Sequence, residues 1–176
     1  MPAQRWVFDT THSSIIFTVR YIVSRIPGCF TQWSGWLELE EDDIGSARVE
    51  ALIDVASVDT RDVRRDAHLR SADFFDVANH PTMAFRSTRI ERRGASTFRL
   101  AGELTIRGIT REIVLDVETS GRAKDPWGKQ RLGFRTRTSL DRKAFGVAFN
   151  QPLDTGGVML GDTVDVEIDL QAVLAE

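Results

Sequence analysis

In residues 97–107, TFRLAGELTIR, apolar and polar side chains alternate with a period of two. One face takes Phe98, Leu100, Gly102, Leu104 and Ile106, and the charged and small polar residues fall on the other. Because successive side chains of a β-strand point to opposite faces, this pattern predicts a strand with one dry and one wet face. A helix would mix the two sets, since its period is about 3.6 residues.

The same alternation recurs along the chain and predicts about eight or nine strands. The further runs are residues 14–21, 48–55, 112–118, 131–141 and 164–170, with shorter candidates at 6–8, 33–39 and 83–88. Strands with one dry face must stack or close into a barrel to hide it, and closure also removes unpaired edges. The sequence therefore predicts an all-β fold, an antiparallel β-barrel of about eight strands, as one domain over residues 1–176.

Residues 60–81 break this pattern, because they lack alternation and are rich in charge and alanine. Thr60 or Asp62 suits the capping position of a helix that runs to Arg70, and Pro81 ends the segment. We expect one or two short helices here, which lie against the barrel or over one of its mouths. The apolar patch that they would bury consists of Phe74, Phe75 and Val77.

The interior of an eight-stranded barrel is either filled by side chains or holds one small ligand. The residues predicted to point inward mix small side chains, such as Ala51, Gly102 and Thr138, with large phenylalanines. This mixture is compatible with a filled barrel and with a hollow one. For a hollow barrel, the alternation predicts a ligand-binding wall of Phe17, Val19, Tyr21, Ile53, Val55, Phe85, Leu100, Leu104, Leu115, Val117, Phe134 and Ile168.

The overall composition limits the partners and the compartment. A net charge of −3 argues against nucleic acid as a partner. The single cysteine, Cys29, cannot form an intramolecular disulfide. The first residues show no apolar region of the kind found in a signal peptide. We therefore expect a cytoplasmic protein as the sequence stands, and a periplasmic one if a leader has been removed.

Few residues suggest catalysis or metal binding. The spacing of His12, His68 and His80 matches no standard zinc signature, and the chain has no nucleophile elbow or phosphate-binding glycine loop. These observations favour a protein that is not an enzyme and carries no metal or cofactor. Two alternatives stay open: an enzyme that acts on a barrel-bound lipid with His12 or His68 as general base, and a filled barrel that serves as an interaction domain.

Several segments resemble, in order, motifs of the YceI-like, or polyisoprenoid-binding, family. The most specific is RDAHLRSADFFD at residues 65–76. The others are residues 9–19, 28–35, 59–60, 80–88, 102–110 and 142–146, so the resemblance spans nearly the whole chain.

This resemblance implies a lipocalin-like barrel with a helical insertion and an interior tunnel, without catalysis. The implied ligand is a long amphiphile: a polyisoprenoid, an isoprenoid quinone or a fatty-acid-like molecule, held for storage or transport. Transient membrane contact and a homodimer are further hypotheses. Arg61, Arg64, Arg65 and Arg70 would suit anionic lipid heads, although a solvated helix face paired with nearby aspartates is the simpler interpretation.

Overall fold

Antiparallel strands make up most of the structure, a computed structural model that describes residues 2–41 and 43–176. Within these residues the strands are β1 Ala3–Phe8, β2 Ser14–Tyr21, β3 Ser24–Phe30, β4 Trp33–Glu40, β5 Asp43–Asp54, β6 Val58–Asp59, β7 Thr82–Arg92, β8 Thr97–Ile106, β9 Ile109–Lys124, β10 Gln130–Asp141 and β11 Leu160–Leu174. One α-helix, α1, spans Val63–Arg70, and 3-10 turns lie at Thr10–His12, Val55–Ser57 and Arg142–Phe145.

Eight of the described strands close into a barrel in the order β1-β4-β5-β7-β8-β9-β10-β11, and β1 pairs back onto β11. The closing register places Trp6 opposite Leu174 and Phe8 opposite Ala172. Every pairing is antiparallel, as expected for strands joined mostly by short turns. The predicted all-β, lipocalin-like barrel with a short helical insertion is confirmed.

The remaining strands, β2, β3 and β6, extend the wall beyond the reach of β1. β1 pairs only with the last part of β11, whereas β2 pairs with the first part, from Leu160 to Asp169. β2 then pairs with β3, and β3 with β6. We call the end where Tyr21 of β2 meets Leu160 the helix end, and the opposite end, with the β4–β5, β7–β8 and β9–β10 turns, the turn end.

The segment predicted to be helical forms one short helix at the helix end. Asp62 is its N-cap, and its Oδ1 accepts hydrogen bonds from the backbone N–H groups of Arg64 and Arg65. Arg70 holds the helix in place by donating to the carbonyl oxygens of Ala56 and Val58. No helix in the described part of the chain is long and apolar enough to cross a membrane.

Two strands, β3 and β6, were not predicted. Pro27 hides β3 in the sequence, because proline lacks a backbone N–H and is normally confined to strand edges. The structure tolerates Pro27 because β6 reaches only Cys29 and Phe30, so that Pro27 has a strand neighbour, β2, on one side. β6 has two residues, too few to show any alternation.

A partly buried charge cluster joins the β1–β2 connection to the β9–β10 hairpin. Asp9 Oδ2 accepts from Arg131 Nη1 at 2.8 Å and contacts His12 Nδ1 at 2.7 Å. Arg131 Nε also donates to Asp125 at 2.9 Å. The hydrogen bonds from the Arg131 guanidinium and then from His12 lower the pKa of Asp9 from 3.8 to about 2.

This pKa shift predicts acid sensitivity. Because the folded pKa lies below the unfolded one, ionised Asp9 stabilises the fold at neutral pH, and that contribution disappears as the pH falls from 3.8 toward about 2. We expect Asp9→Asn to lower the free energy of unfolding at pH 7 by about 1–2 kcal/mol. Urea unfolding followed by tryptophan fluorescence should show this deficit shrinking toward pH 2. A deficit independent of pH would contradict the assignment.

Candidate functional site

The barrel encloses a cavity of about 360 Å³. This volume is within the range of roughly 300–1,000 Å³ that small-molecule sites occupy. All eight barrel strands contribute to its wall, β1 through Phe8, and the lining is overwhelmingly aliphatic and aromatic. The polar exceptions among the described residues are Tyr21, Thr60, Arg65, His68, Arg135, Thr136, Thr138 and Arg142.

Partial burial of inward-facing side chains shows that the barrel is hollow. Phe17, Phe85 and Phe134 lie on the cavity wall, yet each is only partly buried. In a filled core, close packing would leave such side chains with almost no accessible surface. The structure therefore favours the hollow alternative over the filled one.

Eleven of the twelve predicted wall residues line the cavity in the described structure. They are Phe17, Val19, Tyr21, Ile53, Phe85, Leu100, Leu104, Leu115, Val117, Phe134 and Ile168. Their contact with a ligand stays a prediction.

Val55 is the exception, and its predicted place on the wall is corrected. Strand β5 ends at Asp54, whose side chain caps the following 3-10 turn by accepting from the Ala56 N–H. The strand alternation therefore stops one residue before Val55. Its side chain is 2% exposed and packs in the hydrophobic cluster at the helix end, outside the described cavity lining.

The helix end supplies wall residues that the alternation missed. Phe74 and Phe75 come from the turn after α1, Ile26 and Phe30 from β3, and Met159 from the segment before β11. Of these, only Phe74 and Phe75 had a signal in the sequence, as the apolar patch of a segment expected to cover a barrel mouth.

The two ends of the cavity differ in their access to solvent. At the turn end, Trp6, Leu37 and Leu39 are at most 4% exposed and pack into a dense cluster with Phe8 and Ala172. At the helix end, the wall residues Tyr21 and His68 are exposed. We infer that the cavity is closed at the turn end and opens between the β2–β3 hairpin and α1.

Several polar side chains near this mouth form hydrogen bonds with one another. The buried carboxylate of Asp66 accepts from the N–H and hydroxyl of Thr60, at 2.9 and 2.5 Å. Arg65 donates to the hydroxyl oxygen and carbonyl oxygen of the same threonine, at 2.7 and 2.6 Å. This arrangement fixes the start of α1 against β6.

The two histidines considered as general bases are in different surroundings. His12 lies in the β1–β2 connection, pairs with Asp9 and is not among the described wall residues, so the structure does not support its proposed role on a barrel-bound lipid. His68 does line the cavity. Its Nε2 is 2.8 Å from Asp73, and its ring packs edge-on against Phe74 and Phe149.

A comparison with known proteins now places the fold. The family model for the YceI-like domain matches residues 6–172. The chain belongs to the YceI-like family. A UPF0312 protein of Staphylococcus epidermidis is similar to this YceI-like protein, with 39% identity over 162 residues, or 91% of this chain and 92% of the relative.

Solved structures share the barrel. Burkholderia cenocepacia BcnA superposes with a TM-score of 0.82 at 22% identity, covering 93% of this chain and 98% of BcnA. A polyisoprenoid binding domain from Saccharophagus degradans gives a TM-score of 0.69 at 14% identity, covering 97% and 98% of the two chains. At these identities the likeness concerns the fold alone.

In this YceI-like protein, the Phe85 ring fills the space that the small residue Gly102 would otherwise leave open on the wall. Gly102 belongs to the small inward residues, but a Cβ at this position would overlap the Phe85 ring and lie 2.7 Å from the Arg86 carbonyl oxygen. The ring therefore lies directly over the β8 backbone. The hollow volume must come from other positions on the wall.

This close approach predicts that Gly102→Ala is destabilising. The added methyl group must displace a ring or a strand backbone, and overpacking of this kind costs about 1–3 kcal/mol. Gly45→Ala is the control, because its Cβ would meet only the flexible Asp43 side chain, at 3.3 Å, on an exposed part of β5. Urea unfolding should give a change within about 0.5 kcal/mol for the control. Equal effects would contradict the ring-on-glycine packing.

Proposed function

We propose that this YceI-like protein binds a long apolar amphiphile, a polyisoprenoid or an isoprenoid quinone, inside the barrel for storage or transport. The observation that carries the proposal is the hollow, almost wholly apolar cavity, with a densely packed cluster at the turn end and exposed wall residues at the helix end. The structural likeness to the Saccharophagus degradans polyisoprenoid binding domain supports it.

The driving force is the transfer of the tail from water into a dry bore. Burying apolar surface gives about 25 cal/mol per Å², or about 0.8 kcal/mol per methylene group. Ten buried tail carbons supply roughly 8 kcal/mol before the entropic cost of association is subtracted. A tail with little polarity, such as an isoprenoid, is therefore a suitable occupant. Because burial of apolar surface is non-directional, the shape of the tail need match the shape of the bore only loosely.

The family and the fold favour a binding protein rather than an enzyme. The site agrees with this view, because the wall is apolar and the polar groups of Thr60, Arg65 and Asp66 are engaged with one another. His68 is the one histidine among the described wall residues, and its ring contacts Asp73, Phe74 and Phe149. These contacts suit a structural role for His68 at the mouth of the cavity.

Loading would require the mouth to meet a membrane, and the β2–β3 hairpin suits this contact. Ile22 and Val23 at its tip are 37% and 94% exposed, next to the wall residue Tyr21. Val158, 40% exposed, lies alongside because the Ile22 N–H bonds to the Met159 carbonyl oxygen. We propose that this apolar rim touches the bilayer transiently while the tail enters the cavity.

A cavity-filling variant tests lipid binding. Ala51 is half-buried on the cavity wall, and its neighbour Leu52 points to the outside of the same strand with 49% exposure. We expect Ala51→Trp to weaken binding of the neutral apolar dye N-phenyl-1-naphthylamine by about tenfold or more, because the indole occupies the bore. Leu52→Trp should bind as the wild type does. Equal binding by both variants, with both folded by circular dichroism, would count against an internal site.

The membrane contact has its own test. Val23→Glu should reduce co-sedimentation with phosphatidylcholine–phosphatidylglycerol vesicles by about tenfold, since it removes one exposed valine from the bilayer contact and adds a charge. Val114→Glu is the matched control, because Val114 is 46% exposed on the side of the barrel. If the two variants lose vesicle binding to the same extent, the hairpin is not the contact.

A further inference from the structure

A cation is buried at the wall of the apolar cavity. The side chain of Arg142, at the start of the 3-10 turn after β10, is 6% exposed. Its Nε donates to the Gly161 carbonyl oxygen at 2.8 Å, and its Nη1 donates to those of Val147 and Phe149 at 2.7 and 2.9 Å. These three bonds fix the guanidinium at the helix end of the barrel.

The second terminal nitrogen of Arg142 is unsatisfied. Its Nη2 is buried without a hydrogen-bond partner in the part of the chain that the structure describes. The nearest carboxylate oxygen, on Asp162, is 4.0 Å away, beyond hydrogen-bond distance, and is engaged by Lys143 Nζ at 3.1 Å. A buried donor without an acceptor costs about 1–3 kcal/mol, and more when it is charged. Burial also lowers the pKa of Arg142.

The position of Arg142 connects this nitrogen with the mouth. Gly161, whose carbonyl oxygen holds Nε, follows Leu160, and Leu160 pairs with Tyr21 at the rim. Phe149, which accepts from Nη1, packs its ring 5.1 Å from the His68 ring. Arg142 therefore lies near Tyr21 and His68, two exposed residues of the wall, close to where the polar end of an amphiphile would stop.

We propose that Arg142 Nη2 donates a hydrogen bond to an acceptor oxygen, such as a carbonyl, in the head group of the bound amphiphile. This inference rests on the proposed function, and it specifies the ligand: a tail that fills the bore and an acceptor oxygen at the helix end. The acceptor supplies the hydrogen-bond partner that Nη2 lacks, and because Nη2 is buried, a neighbouring group on the wall must shift to admit the oxygen.

The other polar candidates do not meet these conditions. Trp6 Nε1 is also buried without a hydrogen-bond partner among the described residues, but Trp6 lies in the turn-end cluster and off the cavity wall. Arg65 Nε donates to the Thr60 hydroxyl oxygen and Arg65 Nη2 to the Thr60 carbonyl oxygen, so these groups already have partners. Among the described residues, Arg142 combines burial, a free donor and a place on the wall.

The first test compares two ligands with the same chain, 2-heptadecanone and heptadecane, on the wild-type protein. Each displaces N-phenyl-1-naphthylamine, and the concentrations for half-displacement are compared. We expect the ketone to bind about tenfold more tightly, as one hydrogen bond to a charged donor allows. Equal affinities would overturn the head-group contact while leaving tail binding intact. Displacement by neither ligand would refute the proposed function itself.

The second test assigns the preference to Arg142. Arg142→Met should reduce the preference for the ketone to less than about twofold while heptadecane binding is kept. Lys143→Met is the control, since it removes an adjacent cation that is half exposed. A folded Arg142→Met protein that keeps the tenfold preference would overturn the proposal.

If Arg142→Met does not fold, the wild-type protein still gives the answer by NMR. The Arg142 side-chain N–H resonances should shift when 2-heptadecanone is added and stay in place with heptadecane. Resonances that respond to neither ligand, or equally to both, would overturn the contact.

Discussion

The geometry of closure constrains this molecule more than any single contact does. Eight strands joined edge to edge set a bore of nearly fixed width, and the side chains that point into it do not fill it. Alternation along each strand places the apolar side chains on the inner face and the charged ones on the outer face. Ion pairs such as Arg137 with Glu167 and Arg99 with Asp116 therefore lie in solvent. A dry, unfilled space follows from these two facts together.

The two ends of the barrel differ in packing and in polarity. At the turn end, Trp6, Phe8 and Leu37 pack into one buried cluster, which forms the bottom of the bore. At the helix end the wall is built from β2, β3, α1 and the turn at Arg142, which bring polar atoms to the edge of the cavity. The proposed amphiphile would lie along this polarity gradient in one orientation, with its tail inward and its polar group toward the mouth.

Much of this architecture was predictable from local pattern. The run at residues 97–107 forms β8, from Thr97 to Ile106, with the predicted face inward, and alternation placed most of the wall correctly. Alternation failed where the backbone stops being a strand, as at Val55, and where proline masks one, as at Pro27.

Other features depend on contacts between segments distant in sequence. Composition could not decide between a hollow and a filled barrel, because Phe85 covers Gly102 while other positions stay open. The buried state of Arg142 was equally invisible, since it depends on carbonyl groups of residues 147–161 that fold back over it. The resemblance to a family indicated a lipid ligand, but no pattern of residues pointed to Arg142 as the proposed donor to its head group.

The most direct measurement is the amount of apolar material carried by the natively purified protein. An organic solvent extract of the folded chain, analysed by mass spectrometry against a weighed amount of protein, should contain close to one long-chain amphiphile per barrel. An extract with no such molecule, from a protein that also takes none up when isoprenoid quinones are supplied, would contradict a lipid-filled bore.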